Sequence, residues 1–134
     1  MFLPFPPALV LAAGPADTAG MIDRDVKRCM ETAVTTMDML DCSQKGYERM
    51  DRRLNAVYQA LMARLGKPER ALLADAQKKW LAFRDAELAA AAALDPSKDG
   101  SLGRINRNSA GYDMLKSRTL GLERYLQDAK EAAE

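Results

Sequence analysis

The chain contains no histidine and only two cysteines. The missing imidazole removes the commonest general base near neutral pH and the commonest metal ligand. Two cysteines without histidine cannot complete a structural zinc site, so neither a metal nor a cofactor is expected. A surplus of one charge is lacking too, because 20 Lys and Arg face 19 Asp and Glu, a formal net charge of +1. Nucleic acid is therefore not an expected partner. No apolar run approaches the roughly 20 residues that a membrane-crossing helix needs, so stable membrane insertion is not expected. There is no Gly-rich phosphate loop, no nucleophile elbow and no metal-ligand spacing. A carboxylate pair is always available among 19 acids, yet nothing raises one above the others. No catalytic residue is assigned, and the chain does not read as an enzyme.

What is present fits one domain of 134 residues. Its first twenty, MFLPFPPALVLAAGPADTAG, hold no Lys or Arg and are rich in Ala, Pro and Leu. They resemble the apolar core and small-residue cleavage region of a secretory signal without its basic beginning. Residues 1–20 are accordingly expected to be a signal or a disordered N-terminal segment, with a cut near Ala16 or Ala19, and residues 21–134 the domain. Val26, Lys27 and Arg28 precede Cys29 where a lipobox would need small residues. Lipid attachment is not expected there.

From Asp23 onward the patterning is helical. A short polar helix is predicted from about Asp23 to Ala33. Thr35 and Thr36 offer N-caps, and Thr35 with Asp38 has the spacing of a capping box. Tyr47, Met50, Leu54, Val57, Leu61 and Leu65 then recur at three- and four-residue steps and place one apolar stripe on a long helix. Gly66 supplies its stop, and Pro68 suits the first turn of the next helix. That helix should run to Leu94, with Leu73, Ala76, Trp80, Phe83, Glu87 and Ala90 on one inward stripe. Asp95 and Pro96 end it. Asp95 to Gly103 reads as the one clear loop. A last helix is predicted from about Leu102 to Ala132, with Ile105, Tyr112, Leu115, Leu122 and Leu126 on its stripe. The expected fold is all-α: an antiparallel bundle of three long helices plus a short N-terminal helix, with one disulfide.

If oxidised, Cys29 and Cys42 can pair only with each other. Closing a loop of that length contributes on the order of 3 kcal/mol in the chain-entropy model. In a reducing cytosol both stay thiols and the gain vanishes. The bond and the export signal thus support one another.

The polar and aromatic residues fall in an order that resembles a known family. Thr35, Asp38, Met39 and Cys42 are followed by Tyr47, Asp51, Leu54-Asn55 and Tyr58, and then by Gln77, Trp80 and Phe83-Arg84-Asp85. This is similar to the LprI-like lysozyme-inhibitor family of small exported bacterial helical domains, over about Cys29 to Leu126. The resemblance implies a periplasmic or secreted binding protein whose partner is a protein, a lysozyme-type muramidase. Where the family carries a second cysteine pair this chain has Leu88 and Ala110. Where the last helix of the family has a threonine three residues before its arginine, this chain has Leu115 before Arg118.

Two roles are expected of the remaining polar residues. Asp51, Asn55, Gln77, Arg84, Asp85 and Arg118 lie close to apolar stripes and read as a structural polar network between helices rather than a binding surface. The loop after Leu94 is the expected partner-binding surface, with Asp95, Lys98, Asp99 and Ser101 reaching a muramidase cleft. The alternative is a non-catalytic envelope adaptor or assembly factor that binds a protein partner through a helix face.

Overall fold

The computed structural model describes residues 17–133, which form four helices and no strand: α1 (Ala19–Thr32), α2 (Thr36–Arg64), α3 (Lys67–Leu94) and α4 (Ser101–Ala132). The first sixteen residues of the expected N-terminal segment lie outside the described residues. The last four of that segment belong to the bundle. Thr18 caps α1 by accepting from the Met21 N–H, and Ala19 is fully buried with its N–H donating to Glu123 Oε2 at 3.0 Å. The helix therefore begins four residues before Asp23.

Local signals set the other ends. Thr35 and Asp38 form a reciprocal capping box at the start of α2, with bonds of 3.0 and 3.2 Å. Leu65 and Gly66 alone separate α2 from α3, and Pro68 sits in the first turn of α3. The expected Asp95–Gly103 loop is shorter than predicted, because Ser101, Leu102 and Gly103 already belong to α4. Cys29 and Cys42 are bonded, with Cα atoms 5.7 Å apart, and staple α1 to the first turns of α2.

Consecutive long helices run antiparallel, so α2 and α4 run in the same direction. Gly46 lies beside Tyr112, Arg53 beside Glu123, and Leu61 lines one cavity with Ala129. These two helices make the most extensive contact, and α1 lies across both. Met50, Leu54 and Val57 of α2 meet Leu115 and Leu122 of α4, and Ile22 of α1 closes the cluster. Ile22, Met50, Leu54, Leu115 and Leu122 are fully buried. Each contributes about 1.5–3 kcal/mol by leaving water. Gly46 permits the α1–α2 approach, since a Cβ there would run into Val26 Cγ2.

The third helix departs from its predicted stripe. Only Leu73 of that stripe is buried and Trp80 is half-buried, whereas Ala76, Phe83, Glu87 and Ala90 are exposed. The inner positions are held by Leu73, Gln77 and Arg84. The helix is rotated toward its polar residues because Gln77 finds its partner on α4; Trp80, which Arg84 meets, lies one turn away on α3 itself. Gln77 is bonded from α4, and the Arg84 guanidinium lies 5.5 Å from the Trp80 ring centroid with its stem out of water. α3 approaches α4 more than α2.

Candidate functional site

The turn between α3 and α4 is built from backbone bonds and then fixed from α4. Lys98 N–H donates to the Asp95 carbonyl and Gly100 N–H to the Ser97 carbonyl. The Asp95 carboxylate accepts from Ser97 N–H at 2.8 Å and from Asn106 Nδ2 at 3.1 Å. The Ser97 N–H, then the Asn106 amide, hold the Asp95 carboxyl below its ordinary range, so it is ionised at neutral pH. Arg107 Nη1 donates to the Lys98 carbonyl at 3.2 Å. Gly103 is buried where a Cβ would strike the Ser97 carbonyl oxygen and come within 2.8 Å of Lys98 Cα, so the turn folds tightly over the first turn of α4. Lys98, Asp99 and Ser101 are all exposed on this frame, while Asp95 is partly withdrawn into it.

Beside the turn, the Ala-rich end of α3 stands off α4 and leaves a cleft of about 320 Å³. Leu88, Ala91 and Ala92 form one wall, and Asp95, Asn106, Arg107 and Ala110 the other. A second hollow of about 260 Å³ adjoins it through Leu88 and Arg107 and reaches Tyr47, Gln44 and Asn108. Leu88 and Ala110 face each other across the walls of the first cleft.

The six residues expected to form a polar network are distributed as follows. Arg118 Nε donates to Gln77 Oε1 at 2.9 Å and ties α4 to α3. Arg84 pairs with Asp85, its own neighbour, at 2.9 Å rather than with an acid of another helix. Asn55 Nδ2 donates to the Asp51 carbonyl within α2. Burial raises the Asp51 carboxyl above its ordinary range, against the opposite pull of Arg84 and Arg52. Asn55 Oδ1, Gln77 Nε2 and Arg118 Nη2 are buried with no hydrogen-bond partner among the described residues.

Three further groups of polar contacts escaped the sequence reading. Asp23 accepts from Tyr112 at 2.9 Å, Glu123 receives both Arg53 and the start of α1, and Arg49 clamps Asp17 and Asp25. All join residues far apart in sequence, so no local spacing announces them. Among the described residues no group of three acids or cysteines is placed to hold a metal, and no helix is long and apolar enough to cross a membrane.

These features define a small all-α domain, stapled once, with a braced turn at one end and one buried polar link, Gln77–Arg118, between α3 and α4. Comparison with family models matches residues 29–122 to Lysozyme inhibitor LprI, and the chain belongs to that family. Comparisons with curated proteins and with solved structures return no match.

Proposed function

We propose that the chain is an exported, non-catalytic binding protein that inhibits a lysozyme-type muramidase by placing the α3–α4 turn in its cleft. The observation that carries this reading is the family match over residues 29–122. The Cys29–Cys42 bond supports a periplasmic or secreted location, because such bonds persist in oxidising compartments. The braced turn supports its use as the inhibitory element. A loop held in one conformation loses less entropy on docking. Muramidase clefts present a pair of carboxyl groups, one of them ionised. The exposed Lys98 ammonium complements that charge, with Asp99 and Ser101 at its side.

A net charge of +1 gives the chain no acidic surplus with which to attract a basic lysozyme. Inhibition therefore depends on shape and short-range contacts, and its association rate should respond weakly to salt. The test is lysis of bacterial cell walls by several lysozyme classes, followed by turbidity, with and without the purified chain. Inhibition at micromolar chain is expected, and Lys98→Ala should weaken it about tenfold or more, as for a central contact charge. Unimpeded lysis by every class would refute the reading.

A further inference from the structure

α3 carries an apolar seam on its outer side that no other part of the described bundle covers. Leu72, Phe83 and Leu94 are 72, 58 and 81% exposed. They are eleven residues apart, three helical turns, and so fall on one line along the helix. Ala76 and Ala90 lie on the same line and are also exposed. The seam is about 33 Å long at 1.5 Å per residue. Scattered exposed apolar residues are ordinary on a soluble domain, whereas a row of them aligned along one helix is the kind of surface an interface uses.

The order of residues along this seam is a palindrome centred on Phe83. Leu72 and Leu94 stand eleven residues to either side, and Ala76 and Ala90 seven. At four residues to either side stand Lys79 and Glu87, which carry opposite charges. We propose that this seam joins two copies of the chain through a symmetric antiparallel α3–α3 contact, with the two-fold axis at Phe83.

A two-fold contact uses the same patch on both subunits, so the patch must complement itself. In this register Leu72 stands level with Leu94 of the second copy, and Ala76 with Ala90. Lys79 stands level with Glu87 of the second copy, twice over. Like charges at those mirrored positions would repel; opposite charges fix the register. Within its own helix Lys79 pairs with Asp75, whereas Glu87 has no ion-pair partner among the described residues. Phe83 meets Phe83 of the second copy at the axis, which sets the helices about 10 Å apart, and the alanines to either side keep the approach free of clashes. A partner of any other kind would not call for the palindrome.

Sedimentation velocity of the full chain, from low micromolar to several hundred micromolar, tests the proposal without any lysozyme. The mass should rise from monomer to dimer with concentration. Phe83→Asp should remain monomeric throughout, and its circular dichroism should match the parent because Phe83 points outward. Lys79→Glu and Glu87→Lys should each weaken association about tenfold or more, since each sets two like-charged pairs across the contact. The double reversal, Lys79→Glu with Glu87→Lys, should restore it. A monomer at every concentration, a dimer that survives Phe83→Asp, or a double reversal no tighter than the single ones would overturn the proposal.

Discussion

Reduction of Cys29–Cys42 should lower the stability of the whole bundle without releasing α1 from it. The bond closes a loop with a sequence separation of 13. In the chain-entropy model this restricts the unfolded chain by about 3 kcal/mol. Unfolding entropy is about 2.1 cal/mol/K per residue, so a domain of roughly 120 residues loses about 12 °C in midpoint for that change. Contacts that do not involve sulfur still hold α1. Ile22 and Ala19 are fully buried, Asp23 accepts from Tyr112, and the Ala19 N–H donates to Glu123. Burial of Ile22 contributes about 1.5–3 kcal/mol, and with these other contacts it should keep α1 docked in the reduced protein at room temperature. The assay is thermal unfolding with and without dithiothreitol, followed at once by far-ultraviolet circular dichroism and by tryptophan fluorescence. Trp80 is the one tryptophan and lies on α3, away from the staple, so the two signals report different parts of the fold. Both transitions should shift down together. A gain of two protons in mass on reduction identifies the bond. A shift below about 2 °C would refute the entropic reasoning, and a circular-dichroism loss that precedes the Trp80 transition would refute α1 as part of one cooperative unit.

Three other perturbations have defined outcomes. A chain starting at Met21 rather than Asp17 loses the Thr18 cap and the buried Ala19. It should be less stable by about 2 kcal/mol in urea unfolding, roughly half from the cap and half from the lost burial. Asp51→Asn should raise the thermal midpoint at pH 7. Burial holds the folded carboxyl above its unfolded value, so the ionised form is penalised above the folded pKa and the difference should vanish as pH falls below 3.8; destabilisation at pH 7 would instead assign the carboxylate an attractive contact with Arg84. Gly103→Ala places a Cβ against the Ser97 carbonyl oxygen and the Lys98 backbone, where no flexible side chain can give way. It should cost about 1–3 kcal/mol by overpacking and displace the turn. Cell-wall lysis should then proceed in its presence, whereas Leu102→Ala, at an exposed neighbour, should leave inhibition unchanged.

Helix ends were legible because their causes are local. Thr35 with Asp38, Gly66 with Pro68, and Asp95 with Pro96 each stop or start a helix through bonds made within a few residues. The faces of α2 and α4 were legible because large apolar residues mark them. Leu54, Val57 and Leu61 on one helix and Leu115, Leu122 and Leu126 on the other leave no rival stripe. The start of α1 was hidden by composition: Thr18-Ala19-Gly20 reads as the small-residue end of a leader. What holds it is the apolar core, together with Glu123, more than a hundred residues away, which accepts the Ala19 N–H.

α3 shows why apolar periodicity alone can turn a helix the wrong way. Its sequence offers two stripes, and the one with more apolar residues, through Ala76, Phe83 and Ala90, is the outer one. The inner stripe wins because Gln77 accepts from Arg118 there and the stem of Arg84 leaves water, and Arg118, on another helix, cannot be assigned as a partner before the helices are assembled. The same logic governs the turn. Sequence reasoning searched the loop itself and named the residues that it presents, Lys98, Asp99 and Ser101. The residues that hold it, Asn106, Arg107 and Gly103, lie inside α4 and look like ordinary helix. The conformation of this turn is thus set by the helix it leads into, since α3 ends in alanines that stand off the bundle and brace nothing. Substitutions within α4 should consequently alter the presented surface more than substitutions in the alanine run that precedes it.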